Sequence, residues 1–244
     1  MEDDRIIVSI DGKPTCQARH RQARQGVVAL QYSGIGRVRF RNIRLLPLGG
    51  VSLFNGKNLD GWRVVPGHPS VYSVTADGLM NVRGGNGDIQ TTATFADFIL
   101  QLGVRTHGDH LNSGIFFRAI PGEFWSGYET QIRNQWEGED RTRPVDFGTG
   151  GLYNRVAARR VASSDREWFT VTTIAQGAHI ATWVDGFPVV DYVDTRPSDE
   201  SNARKGTRTT AGVITLQGHD PTTNIDFRSI RIIDMKPAAP AAGK

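Results

Sequence analysis

The stretch GVVALQYSGIGRVRFRNIRL at residues 26–45 occurs a second time near the end of the chain, as GVITLQGHDPTTNIDFRSIRI at residues 212–232, with one residue inserted. The similarity continues upstream, where RIIVSIDGKP at 5–14 matches HIATWVDGFP at 179–188 and an Asp-Gly pair falls at the same place in both. An internal repeat of this length indicates that a structural unit is present more than once, at least in part.

The repeat predicts the domain organisation. Residues 1–49 correspond to the closing strands of a preceding copy, and one full copy occupies residues 50–235. Residues 236–244, KPAAPAAGK, form a Pro/Ala-rich tail. We therefore expect the function to lie within residues 50–235.

Short segments that alternate apolar and polar residues run through the whole chain, and turn residues separate them. No segment carries the sustained i, i+3, i+4 apolar pattern of a helix. Many short strands in one domain of this size predict an all-β jelly-roll sandwich of two antiparallel sheets. The predicted strands are 5–10, 26–32, 37–45, 71–75, 78–83, 88–92, 97–106, 113–119, 127–134, 151–154, 168–175, 178–184, 188–193, 211–217 and 224–233.

Composition excludes several classes of function. The chain has 244 residues and a net charge of +4, but its arginines do not form the basic stripe with interleaved aromatics that a nucleic-acid partner requires. No window approaches the roughly 18 apolar residues of a membrane span. Cys16 is the single cysteine, which rules out an intrachain disulfide and a cysteine-rich metal site.

Motifs in the predicted full domain carry a family resemblance. They are LFNGKNLDGW (53–62), NSGIFFR (112–118), GYETQI (127–132), GGLY (150–153) and LQGHDPTTNIDFRSIRI (216–232). In this order they resemble the 3-keto-disaccharide hydrolase family, over residues 50–234. The resemblance implies a concanavalin- or lectin-like jelly roll and cleavage of the glycosidic bond of a sugar oxidised at C3.

The resemblance also implies a location and a type of chemistry. Members of the family are usually exported, whereas the first ten residues, MEDDRIIVSI, lack the basic and apolar regions of a signal peptide, so the location is left open. A ketone at C3 acidifies the hydrogen on C2, so a general base could remove it and the group on C1 could leave. Such a site needs a base, a donor for the enolate oxygen and an acid for the leaving oxygen.

Strand alternation suggests which side chains meet. Glu129 and Gln131 share one strand face, Gln217 and His219 share another, and Arg118 lies on a third strand. On the concave face of a jelly roll these five would converge. Under the family resemblance, Glu129 is predicted to be the general base, Arg118 to hold the C3 carbonyl or the enolate, and His219 to donate the proton.

Further side chains are predicted to bind the sugar, and each prediction has a structural alternative. Gln131, Gln217 and Asn112 would supply polar contacts, while Tyr153 and Trp125 would stack on a sugar ring or else pack in the core. Glu129 could instead be a plain ion-pair partner of a neighbouring arginine, and His219 could serve only the turn that contains Asp-Pro.

No cofactor is predicted, although a structural or catalytic divalent metal such as calcium stays open. Asp109, Asp220 and Asp226 could supply carboxylates, but their spacing matches no calcium loop.

Two classes of function remain open from the sequence. The first is a hydrolase or lyase acting on 3-keto sugars, with an oligosaccharide or 3-keto sugar as its partner. The alternative is a non-catalytic carbohydrate-binding module, or a structural domain, of a larger exported protein, because one fold can serve both roles. The open strand edges of residues 1–49 predict that this segment docks on the full domain or forms a homodimer.

Overall fold

The structure is a computed structural model that describes residues 5–19, 29–40, 47 and 49–235. Contacts divide the chain into two compact units, Met1–Arg41 and Asn42–Lys244. In the described part of the chain, no helix is long and apolar enough to cross a membrane. The strands are Arg5–Ile10 (β1), Lys13–Arg19 (β2), Val51–Ser52 (β3), Trp62–Val64 (β4), Val71–Val74 (β5), Met80–Arg83 (β6), Gly87–Thr91 (β7), Phe98–Thr106 (β8), Ser113–Ala119 (β9), Tyr128–Ile132 (β10), Phe169–Gln176 (β11), His179–Val184 (β12), Phe187–Val193 (β13), Val213–Gly218 (β14) and Asn224–Asp234 (β15).

The larger unit contains two antiparallel sheets. One has five strands in the order β10-β9-β14-β7-β4. The other follows the order β13-β12-β11-β8-β15-β6-β5, with β3 also paired to β15. In the smaller unit, β1 and β2 form a hairpin around Asp11 and Gly12, whose positive φ angles of 50° and 75° suit a tight turn.

The hydrophobic core of the larger unit follows from strand alternation. Ile115 and Leu216 of the five-stranded sheet and Leu102 and Phe227 of the other sheet belong to one buried cluster. The neighbours of Ile115 and Leu216 in sequence therefore point to the opposite face of the five-stranded sheet, where polar residues are found.

The predicted all-β jelly-roll fold is confirmed, and three strand predictions need correction. Residues 29–32 and 37–40 form no strand, and the remainder of the predicted strands 26–32 and 37–45 lies outside the described residues. Residues 151–154 form a turn with isolated bridges at Leu152, because this Gly-rich segment bends back on itself. The assignment of residues 1–49 to a preceding copy stays a prediction.

Candidate functional site

A cleft of about 320 Å³ opens on the face of the five-stranded sheet that points away from the core. Seven of the eight side chains predicted to form the site line this cleft, and Arg118 is the exception. The lining residues are Asn86, Asn112, Phe124, Trp125, Glu129, Gln131, Asp146, Tyr153, Gln217 and His219.

Sheet register brings the polar side chains together in two neighbouring rows. In one row Glu129 lies opposite Phe116 and Thr215 lies opposite Gln90. The same Phe116 also pairs with Thr215. The row therefore runs across the four strands β10, β9, β14 and β7.

The second row lies two residues further along the strands, on the same face of the sheet. In it, Gln131 lies opposite Gly114 and Gln217 lies opposite Asp88. Both rows point away from the core because the residues between them, such as Ile115 and Leu216, point into it.

Glu129 is a buried acid at the edge of the cleft. Its side chain is 5% exposed, and its Oε2 atom has no hydrogen-bond partner. Burial raises the pKa of the carboxyl to about 8; the guanidinium of Arg204 opposes this shift, and the negative charges of Asp146 and Asp88 add to it. Arg204 Nη1 lies 3.6 Å from Oε2, too far for a hydrogen bond. The carboxyl can therefore exchange a proton near neutral pH.

Asp88 is a second buried acid on the same face, and the sequence analysis missed it. Its Oδ2 atom accepts a hydrogen bond from the backbone N–H of Trp125 at 2.8 Å, and its Oδ1 atom is buried without a partner. Burial raises the pKa of Asp88 to about 7, although the Trp125 hydrogen bond acts in the opposite direction. Its strand was correctly predicted, and Asp88 and Gln90 flank the core residue Ile89 on it.

Asp146 joins the polar groups on one side of the cleft. Its Oδ2 atom accepts hydrogen bonds from Gln131 Nε2 at 3.0 Å and from Asn112 Nδ2 at 2.9 Å. Asn112 Nδ2 also lies 3.3 Å from His219 Nε2. These contacts fix the positions of Gln131 and Asn112 before any ligand binds.

His219 serves both the cleft and the turn that contains Asp-Pro. Its backbone N–H donates to Thr223 Oγ1 at 3.0 Å, which is a turn contact. Its ring Nδ1 lies 2.9 Å from Asp220 Oδ2, so the ring is oriented with Nε2 towards Asn112 and the cleft.

Aromatic rings and one arginine form the opposite side of the cleft. The Trp125 side chain is 45% exposed, and the guanidinium carbon of Arg204 lies 3.6 Å from its ring centroid. The same guanidinium lies 5.7 Å from the Tyr153 ring, and Tyr153 packs against Phe147 with 5.2 Å between centroids. These distances are within the range of cation–π contacts and aromatic packing.

Arg204 lies in segment 194–210, DTRPSDESNARKGTRTT, whose polar and charged composition is typical of a surface loop. The loop is instead tied to the domain. Arg196 forms a 2.6 Å ion pair with Asp194 and donates to the carbonyl of Ala203, while Arg155 donates to the carbonyl of Arg204 at 2.7 Å. Nothing in the local sequence distinguishes Arg204 from its neighbours, because its role depends on contacts distant along the chain.

The prediction that Arg118 binds substrate is wrong. Its side chain is fully buried, and the guanidinium donates to the carbonyls of Ala96, Gly177 and Arg208 and to Asp97 Oδ1, at 2.7–3.0 Å. The reason is a break in strand alternation. Arg118 has a positive φ of 49°, and the pairing of β9 with β14 shifts register beside it. Its side chain therefore binds loops instead of the cleft.

Three buried side-chain oxygens of residues that line the cleft have no hydrogen-bond partner. They are Asn112 Oδ1, Glu129 Oε2 and Gln217 Oε1. Buried polar atoms are normally paired, so unpaired acceptors mark a place prepared for a ligand that donates hydrogen bonds. Sugar hydroxyl groups are such donors.

The described residues contain no group of three or more His, Cys, Asp or Glu side chains arranged to hold a metal ion. The three candidate calcium ligands lie in separate contacts. Asp109 pairs with Arg166, Asp220 with His219, and Asp226 with Arg105 and His107.

Comparison with known proteins agrees with this picture. The sequence profile of the 3-keto-alpha-glucoside-1,2-lyase-like domain family matches residues 49–233. A search of curated proteins finds no relative.

Solved structures share the fold. Two crystal structures from Parabacteroides distasonis ATCC 8503, provisionally described as glycosyl hydrolases, superpose with a TM-score of 0.61. They are 20% and 22% identical, and the matches cover 79% and 76% of this chain and 99% of each of theirs. The carbohydrate-binding module CBM66 from Bacillus subtilis has a TM-score of 0.51 at 16% identity, over 72% of this chain and 96% of its own.

Proposed function

Because the chain belongs to the 3-keto-alpha-glucoside-1,2-lyase-like domain family, we propose that it cleaves the glycosidic bond of 3-keto sugars, with Glu129 as the base that removes the C2 proton. The observation that carries the proposal is the Glu129 carboxyl itself. It is buried at the cleft, its Oε2 atom is unpaired, and its pKa is raised to about 8. General bases work best when their pKa lies near the working pH.

The reaction balances in two steps. The base takes the proton from C2, and the electron pair of that C–H bond forms an enolate conjugated with the C3 oxygen. The enolate then expels the oxygen on C1, which takes up a proton, and a 1,2-unsaturated 3-keto sugar remains. Addition of water across this double bond would give net hydrolysis.

His219 is the proposed proton donor to the leaving oxygen. Its ring faces the cleft and is oriented by the Asp220 carboxylate, which lies 2.9 Å from Nδ1. Because Arg118 lies elsewhere, the C3 oxygen would be bound by the side-chain amide of Gln217, since the amide N–H groups of Asn112 and Gln131 are directed at Asp146 and His219. Trp125 and Tyr153 would pack against the sugar ring.

The test is release of a chromogenic aglycone from a 3-keto-glucoside. The Glu129→Gln variant should lose at least about 100-fold in kcat, the typical contribution of a general base, while binding is kept. Glu123→Gln is a matched control, because Glu123 is an exposed acid nearby. Full turnover by Glu129→Gln would remove Glu129 from the mechanism. Running the assay with a chelator tests whether turnover depends on a divalent metal such as calcium.

A second candidate is a carbohydrate-binding module without chemistry. The exposed Trp125 ring favours it, because aromatic faces in a cleft also suit simple sugar binding. Sugar binding by the unmodified protein, with no release of aglycone, would support this alternative.

We also propose that the N-terminal unit takes part in a homodimer. The hairpin of β1 and β2 leaves Ile7, Val8 and Ile10 exposed, at 47%, 48% and 63%. Apolar strands with free edges favour pairing between chains. A chain starting at residue 50 should then be monomeric by light scattering, while the whole chain is dimeric. The same number of chains per particle for both would contradict the proposal.

A further inference from the structure

A second cavity of about 180 Å³ adjoins the cleft. The two spaces share three lining residues, Trp125, Glu129 and Tyr153. The second cavity is further bounded by Arg155 and Arg204. Glu129 therefore stands at the junction of two neighbouring spaces.

The position of Glu129 indicates which part of the substrate would occupy each of the two cavities. If the 3-keto sugar occupies the larger cleft, its C2 hydrogen must face Glu129. C1 is bonded to C2, so the group on C1 starts two bonds away from the reacting carbon. The space that shares the base with the cleft is where that group can extend.

We infer that the second cavity is the subsite for the leaving group, and that it takes a hydroxylated group such as a second sugar, with Arg204 as the residue that determines this preference. The inference rests on the proposed function, because it takes Glu129 as the base.

The walls of the second cavity have the chemistry that a sugar needs. The rings of Trp125 and Tyr153 offer apolar faces, and the guanidinium of Arg204 offers several N–H donors. Arg204 is not committed to Glu129 by a hydrogen bond, since the 3.6 Å separation exceeds that distance. Its donors can therefore reach the hydroxyl groups of a bound leaving group.

Arg204 is also held in place before any ligand arrives. Its own carbonyl accepts from Arg155 Nη2 at 2.7 Å, and the carbonyl of the preceding Ala203 accepts from Arg196 Nη2 at 2.8 Å. Its guanidinium stacks on Trp125. A pre-positioned side chain binds with less loss of conformational entropy, so it suits a role in specificity.

The test compares two substrates in the same variants. One is a 3-keto-disaccharide, and the other is methyl 3-keto-glucoside, whose leaving group is too small to contact Arg204. The unmodified protein should prefer the disaccharide in kcat/KM, and Arg204→Ala should lower this preference about tenfold, the size expected for one lost polar contact. Arg204→Lys should keep part of it, since the charge remains but the planar stacking is lost.

The ratio of the two substrates is the decisive quantity. Removing Arg204 also changes the ionisation of Glu129, but that change affects both substrates equally and cancels in the ratio. Lys205→Ala is the matched control, because Lys205 is the exposed neighbour in the same loop, and it should leave the ratio unchanged. An equal loss on both substrates in Arg204→Ala, or no preference in the unmodified protein, would overturn the inference.

Calorimetric binding separates this inference from the proposed function. In a Glu129→Gln background, Arg204→Ala should weaken binding of the disaccharide about tenfold and leave binding of the methyl glycoside unchanged. If no substrate is turned over by any variant, the proposed function fails while this binding comparison still decides the subsite. If turnover depends on Glu129 and the binding comparison shows no difference, only the subsite fails.

Discussion

Glu129 and Gly114 face each other across neighbouring strands at a distance that admits no side chain at position 114. A β-carbon on Gly114 would lie 2.7 Å from Glu129 Oε1 and 2.8 Å from a ring carbon of Phe116. Carbon atoms do not approach this closely, so the carboxyl owes its buried position to the missing side chain. In the register of β9 and β10, Gly114 is paired with Gln131, and Glu129 is paired with Phe116. Glu129 and Gly114 are therefore diagonal neighbours on the same face of the sheet.

Substituting Gly114→Ala should therefore displace the carboxyl of Glu129 and lower kcat by at least about tenfold, because a small misplacement of a reacting group is costly. Gly103→Ala is the matched control on the other sheet, since its added carbon would meet the flexible side chain of Arg228 at 3.0 Å. The measurement is turnover of the chromogenic 3-keto-glucoside beside thermal unfolding. Unchanged kcat in Gly114→Ala would show that the carboxyl position is not critical.

The pH profile of kcat/KM should rise on the alkaline side of neutrality. A base must be ionised to accept a proton, and the pKa of Glu129 is raised to about 8. Activity should thus increase about tenfold per pH unit below this value. Arg204 lowers the pKa of Glu129, so Arg204→Ala should move the rising limb to higher pH. A limb that stays in place would argue against Glu129 as the titrating group.

The same carboxyl should make the fold less stable as the pH rises. Its pKa is raised from 4.5 in the unfolded chain to about 8 in the folded one, so between these values the folded state binds more protons. The stability that this group contributes is present below about pH 4.5 and is lost as the pH rises towards 8. Glu129→Gln cannot ionise, so at pH 9 its free energy of unfolding should exceed that of the unmodified protein by an amount on the order of a few kcal/mol, and it should unfold at a higher temperature.

A comparison of the two proteins at acid pH provides the control for that measurement. At pH 5 both side chains are neutral, so the difference in unfolding temperature should be much smaller than at pH 9. A difference that does not change with pH would show that the acid is not buried as described.

Arg118 should prove important for stability and unimportant for binding. Arg118→Met removes the hydrogen bonds to Ala96, Gly177 and Arg208 and leaves the Asp97 carboxylate without its buried partner. Breaking a buried ion pair costs about 3–5 kcal/mol, which urea unfolding would detect. The KM of the folded protein should be unchanged. A raised KM with unchanged stability would return Arg118 to the binding site.

Arg159→Met is the matched control for this substitution, because Arg159 is exposed. Its effect on the free energy of unfolding should stay within about 0.5 kcal/mol, as for most surface substitutions.

The sequence predicts the fold and the middle of the cleft well because both depend on local alternation. Glu129, Gln131 and Gln217 occupy regular strand positions, so a period of two residues places their side chains correctly. Arg118 violates the same rule, because a bulge with positive φ reverses the direction of its side chain. That bulge follows from pairing with β14, far along the chain, and leaves no local mark.

Arg204 escapes sequence analysis for a different reason. It meets Glu129 across 75 positions of sequence through the fold of a long loop, which local patterns do not encode. Asp88 was open to discovery, since its strand was predicted, but an acid facing solvent and an acid facing a buried cleft look the same in sequence. Burial alone separates them, and burial is a property of the tertiary structure.

The buried Glu129 carboxyl of the cleft also links ligand binding to the surrounding buffer. Its pKa is raised to about 8, so near neutral pH it is protonated in most but not all of the molecules. A sugar that donates a hydrogen bond to its unpaired oxygen stabilises the ionised form, and protons leave the protein as it binds. The heat of binding measured by calorimetry should then vary with the ionisation enthalpy of the buffer, and the slope counts the protons released. A neutral ligand would in this way report the charge state of the site.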